Sequence, residues 1–181
     1  MLFGCGKEEA QVTCIEVASD GSIKNVIYEE FNEGYYDINE LSDMASKEVS
    51  AFNSDYLSPK VSLEEVALVD EGSFARVAMT YKSSSDYSHF NQVTLFYGTL
   101  QEAVDKGYGI SDKMADKTGD PLGSDFLDSH KDRHIVITTD RSNIRTPYNI
   151  EYMTGGVTLL NKKEAVLQDA DSETVQLLLS K

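Results

Sequence analysis

The chain has 181 residues, 40% hydrophobic and 26% charged, with 31 acidic against 16 basic side chains and a net charge of -15. That is enough apolar material for one domain with its own core, and no run approaches the roughly 18–20 apolar residues of a spanning helix. A surface of this sign repels phosphate and gains nothing by releasing counterions, so nucleic acid is excluded as a partner.

Thr13 to Val17 and Ile23 to Tyr28 flank Ser19-Asp20-Gly21-Ser22, and Asp-Gly between two β-prone runs predicts a hairpin. Asp37 is a good N-cap, with Glu40 three residues on, a capping-box relation that opens a helix. From Leu41, helical positions 41, 44, 45, 48, 49 and 52 hold Leu, Met, Ala, Glu, Val and Phe. One face is therefore expected in the core, and the helix should end near Phe52-Asn53, before Pro59.

A second hairpin is predicted from Val61 to Val69 and Phe74 to Lys82, around Asp70-Glu71-Gly72-Ser73. Ser83-Ser84-Ser85-Asp86 opens a short helical turn carrying Tyr87 and Phe90, and Val93 to Tyr97 reads as a buried strand. Thr99-x-x-Glu102 repeats the capping-box pattern before a short helix that stops at Gly107. From Gly107 to about Arg133 the chain turns polar and irregular, a length without periodicity that is either functional or loosely ordered. Strand signals return at His134 to Thr139, Asn149 to Met153 and Val157 to Leu160. The last two straddle Thr154-Gly155-Gly156 and predict a hairpin. Ala165 to Leu167 and Val175 to Leu179 are expected as two closing arms around Asp169-Ala170-Asp171-Ser172, with the C-terminus tied into a sheet.

Hairpins dominate and no regular strand–helix alternation is present. The expected fold is α+β: a largely antiparallel sheet built from hairpins, with one long and one or two short helices packed on one face. Residues 1–10 read as a short leading segment and tether, and 11–181 as a single domain.

There is no phosphate-cradling Gly-x-x-x-x-Gly-Lys, Gly-x-Gly-x-x-Gly, Gly-x-Ser-x-Gly, Cys-x-x-Cys or His-Glu-x-x-His. His130 and His134 have the spacing of zinc ligands on a helix, but His134 opens the strand Ile135-Val136-Ile137, which would separate the rings. Asp112, Asp116 and Asp120 recur every four residues, whereas a calcium loop needs closely alternating carboxylates, a Gly turn and a bidentate Glu. No catalytic, cofactor-binding or metal residue is therefore assigned. Tyr supplies 10 residues and Trp none. Tyr35-Tyr36 and Tyr148/Tyr152 are the pairs that would make a sugar- or peptide-binding platform, although strand tyrosines usually pack across a sheet. Cys14, in Val12-Thr13-Cys14-Ile15, reads as a small apolar side chain.

The first residues, Met1-Leu2-Phe3-Gly4-Cys5, run into Gly6-Lys7-Glu8-Glu9. A Leu three residues before a cysteine that directly follows Gly resembles the lipobox of bacterial lipoproteins. In that family a peptidase cuts between the small residue and the cysteine, and the cysteine carries the lipid. Leu2, Gly4 and Cys5 meet those needs, while Phe3 stands where a small or β-branched residue is usual. A secretory signal needs roughly 7–15 apolar residues after a charged start, so the resemblance implies such a run upstream of Met1.

The remainder resembles uncharacterised lipoproteins of Gram-positive bacteria, with a lipobox, a Lys/Glu tether and a small α+β domain; the likeness brings no catalytic residues. It implies attachment through Cys5 at the extracytoplasmic face of the cell membrane, with a cell-envelope protein, peptide or glycan as partner. A non-enzymatic binding domain is the expected function. The alternative is a membrane-tethered hydrolase of cell-wall or glycan substrates, using two carboxylates about 5–10 Å apart.

Overall fold

The structure, a computed structural model, describes residues 11–123 and 125–181. Cys5 and the rest of the lipobox lie outside the described residues. The strands are β1 (Cys14–Val17), β2 (Ile23–Glu30), β3 (Val61–Val69), β4 (Phe74–Tyr81), β5 (Leu95–Thr99), β6 (His134–Thr138), β7 (Asn143–Arg145), β8 (Ile150–Met153), β9 (Thr158–Asn161), β10 (Glu164–Val166) and β11 (Val175–Leu179). The helices are α1 (Ile38–Asn53), α2 (Ser84–Asn91), α3 (Leu100–Asp105) and the single turn α4 (Phe126–Ser129).

The α+β class with antiparallel pairing is what the chain adopts, but the strands divide into two sheets. The larger runs β3-β4-β2-β1-β7-β10-β9 and the smaller β5-β6-β11-β8. Every pairing is antiparallel except β1 with β7. The two N-terminal hairpins form as expected. Ser22 donates from its amide and hydroxyl to Asp20 Oδ1, at 3.0 and 2.7 Å, closing the first turn.

Two expected hairpins do not form. β8 pairs with β11 and β9 with β10, so the Gly155-Gly156 turn carries the chain from one sheet to the other. Likewise β10 and β11 stand in different sheets. Gly155-Gly156 does form a turn, but a turn between sheets uses the same residues as a turn within one. β7, three residues long, carried no alternation of its own to betray it.

Alternation decides which face each strand buries. On the larger sheet, Ala75, Val77, Met79 and Tyr81 of β4 lie level with Glu29, Ile27, Asn25 and Ile23 of β2. This face carries α1, α2 and the smaller sheet. α1 sits over β3 and β4, with Ala45 and Val49 buried against Val61, Val77 and Met79. Asn53 fixes its end: Oδ1 accepts from the amides of Lys60 and Val61 at 2.8 and 3.1 Å, and Nδ2 donates to Val61 O at 2.8 Å.

The smaller sheet is buried on both faces, and all five residues of β11 are buried. Val136, Leu177 and Leu179 face the larger sheet. Ile135, Ile137 and Leu178 face a second core with Leu100, Ala103, Met114 and Leu122. The irregular segment after Gly107 is thus the lid of a core. Its apolar pins, Met114 at 0% and Leu122 at 9% exposure, are too isolated to produce a periodic signal.

Candidate functional site

α1 is capped by Asp37, whose Oδ1 accepts from the Asn39 amide at 2.7 Å; the bond from Glu40 that a capping box needs is not made. Of the predicted apolar face, Ala45 and Val49 are buried and Leu41 and Phe52 pack against the core. Met44 is not covered and is 59% exposed. It looks into a groove of about 390 Å³ between α1 and the open end of the larger sheet, a volume within the range of ligand pockets. The floor is Ile27, Val77 and Met79, and the helix wall is Leu41, Met44 and Ala45.

The end of the groove is aromatic. Phe31 stacks on Tyr36 at 4.9 Å, and Tyr35 meets Tyr36 edge-on at 4.9 Å. Tyr35 and Tyr36 are 76% and 45% exposed, and the Tyr35 hydroxyl pushes the Tyr36 phenol above its usual value. Three exposed carboxylates, Glu29, Glu30 and Glu48, also line the groove. Residues 29–48 hold seven acids and one lysine. The site is therefore an apolar, aromatic slot with an anionic rim.

The tyrosine pairs fare differently. Tyr35-Tyr36 stand together at the mouth of this groove. Tyr148 and Tyr152 do not share a platform. Tyr148 packs on His134 at 5.5 Å in the main core, whereas Tyr152 meets Phe126 at 5.5 Å in the second one.

A second concavity has the opposite rim. Clefts of about 490 and 520 Å³ adjoin Lys117, with Lys113 beside the first and Lys162 beside the second. These lysines make no ion pair among the described residues. The acids there are engaged. Asp116 Oδ1 accepts from the Thr118 amide and hydroxyl and the Asp120 amide at 2.8, 2.7 and 3.0 Å. Glu151 pairs with Arg133 at 2.8 Å. The Thr118 hydroxyl and amide hold the Asp116 carboxyl below its usual range.

The histidines face different partners. His130 stacks on Phe126 at 4.0 Å with Nδ1 2.9 Å from Phe126 O, while His134 Nδ1 lies 2.9 Å from Lys181 O. No group of three or more metal-ligating side chains converges among the described residues. Cys14 Sγ is partly buried, 3.7 Å from Ile15 O. The uncovered Met44 was the feature sequence reading missed, because a helical template cannot say which apolar position the sheet will reach. Comparison with protein-family models, curated proteins and solved structures found no match for the chain.

Proposed function

We propose that this chain is an envelope lipoprotein, held at the extracytoplasmic face of the cytoplasmic membrane by acyl chains on Cys5, whose folded part is a non-enzymatic binding module. The lipobox residues Leu2, Gly4 and Cys5 support the anchor. Lipid attachment by two or more chains is stable where one is marginal. No helix among the described residues is long and apolar enough to cross a membrane.

The observation that carries the binding reading is the half-covered face of α1, where Met44 and Tyr36 stay exposed around an apolar floor. A contiguous apolar slot left open at a rigid helix–sheet junction is typical of a docking surface. Its acids are exposed on the rim, whereas a glycosidase acid needs an apolar pocket that raises its pKa. That favours binding over hydrolysis.

The groove lies near the point where the tether enters. Thr13 Oγ1 accepts from the Tyr28 amide at 3.1 Å, which sets the start of the domain beside the Glu29–Glu30 end of β2. Seven residues from Cys5 to Val12 reach at most roughly 25 Å, so an anchored domain works close to the bilayer.

Two measurements test this reading. Intact mass and detergent partitioning of natively expressed protein should show a lipidated Cys5, with Cys5→Ser moving to the aqueous phase. Oxidative footprinting should find Met44 protected in native membranes and reactive after purification. An unmodified thiol sinks the anchor, and equal Met44 reactivity sinks the docking surface.

A further inference from the structure

We infer that the groove beside α1 receives a cationic amphipathic peptide segment, its apolar anchors on Met44, Leu41 and Met79 and its Lys or Arg side chains facing Glu29, Glu30 and Glu48. This rests on the groove being a docking surface and adds the chemistry of its occupant. Two independent features select that chemistry. The slot offers apolar floor, aromatic end and a flexible Met wall, a surface that adapts to helical or extended apolar anchors. Its rim is anionic, and the net charge of -15 extends that sign over the whole body, which raises the encounter rate of cations and disfavours anions.

Other occupants fit less well. Anionic lipid headgroups would meet the three glutamates with like charge. A second copy also carries -15 and would be repelled by like charge, and its lysine cluster around Lys117 lines concave clefts that cannot insert into the groove. The chain's own residues 1–10 contain one lysine against two glutamates, so their balance of charge has the sign of the rim and disfavours them as its occupant.

The test uses the soluble chain and synthetic peptides with Leu and Phe anchors at helical spacing, whose remaining positions are all Lys, all Gln or all Glu. A scrambled Lys peptide keeps the charge and loses the amphipathic face. Affinity is read by titration calorimetry and location by methionine methyl resonances. The amphipathic Lys peptide should bind about tenfold or more tighter than its Gln counterpart, the order expected of a few rim charge pairs. It should weaken as salt is raised and shift the Met44 and Met79 methyls. Met44→Glu, at an exposed position that leaves the core intact, should abolish the Met79 shift, the one groove methyl that variant retains. The double variant Glu30→Lys/Glu48→Lys should lose the Lys peptide and gain the Glu one.

If the Gln or Glu peptide binds as tightly at Met44, the cationic class is overturned while the docking surface stands. A scrambled Lys peptide that binds equally well overturns the inference in favour of a diffuse field. Silence of the Met44 methyl with every peptide overturns both inference and docking surface. Met44 shifts caused instead by anionic vesicles, or by raising the protein concentration alone, assign the groove to lipid or to a second copy and overturn the peptide.

Discussion

Tyr87, on α2, donates its phenolic hydrogen to Asp140 Oδ2 at 2.8 Å, joining that helix to the loop after β6 across 53 residues of chain. The phenol is 1% exposed. Burial first, and the Asp140 charge second, push its ionisation far above the usual value. Tyr81 meets Tyr87 edge-on at 4.9 Å and Phe90 at 5.7 Å, and Phe90 meets Phe52 of α1 at 5.3 Å. One aromatic chain thus links both helices to β4. Tyr87→Phe should keep the packing and lose the bond, costing about 1–2 kcal/mol, while Asp140→Ala strands a buried hydroxyl and should cost about 1–3 kcal/mol. Urea unfolding of both singles and the double should reveal non-additivity. Additive losses would mean that the bond is not formed.

Gly156 holds the crossing between the sheets. Its φ is +78°, and a Cβ there would run into Asp169 O and lie 2.7 Å from Ala170 Cα, both backbone atoms. Gly156→Ala therefore combines left-handed strain with a clash that no rotamer relieves, and should destabilise by about 2 kcal/mol or more. At Gly155 the nearest atoms belong to the Asp171 side chain, which can swing away. Gly155→Ala should be the milder change, and a thermal melt ranking the two the other way would contradict this account.

Gln176 holds the lid of the second core. Buried on β11 at 6% exposure, it accepts from the Ser111 amide at 2.9 Å and donates to Gly109 O at 2.8 Å. Gln176→Leu preserves bulk but leaves two backbone groups unpaired, and should cost about 2–4 kcal/mol at roughly 1–2 per group. Hydrogen exchange should rise at Ser111 and along the 109–122 segment before it rises in β2 or β4. Uniform acceleration would show that the segment does not open separately.

Much of this arrangement was legible in local pattern. The N-terminal hairpins, the long helix and the Thr99–Glu102 capping box are set by neighbours in sequence, and the box forms with Thr99 Oγ1 accepting from the Glu102 amide at 3.2 Å. Partner choice between sheets was not legible, because β8 and β9 carry the residues of a hairpin and only long-range packing divides them. Asn53 shows the same limit. It reads as the end of a helix, yet its side-chain amide accepts from the Lys60 and Val61 amides and donates to Val61 O, and so positions α1 over β3. Where α1 sits then decides that Met44 faces the groove and not the core. Position 44 followed the helical period faithfully, and no local rule distinguishes a covered from an uncovered place on that period.

Alkaline pH gives the last prediction. Burial, then the neighbouring Tyr148 phenol, push Tyr97 up to about 12. Tyr81 and Tyr87 are also raised, chiefly by burial. In the unfolded chain tyrosines ionise near 10. Between about pH 10 and 12 the unfolded state therefore loses protons that the folded state keeps, and the linkage relation makes stability fall as pH rises. Below pH 10 both states hold these protons and the groups contribute no slope. Tyr97→Phe removes one such group, so its stability should fall less steeply than that of the unsubstituted chain through this window. Parallel urea midpoints measured across the window check the sign. A Tyr97→Phe curve that fell as steeply as the parent would show that this phenol ionises as readily folded as unfolded, leaving Tyr81 and Tyr87 to account for the alkaline loss.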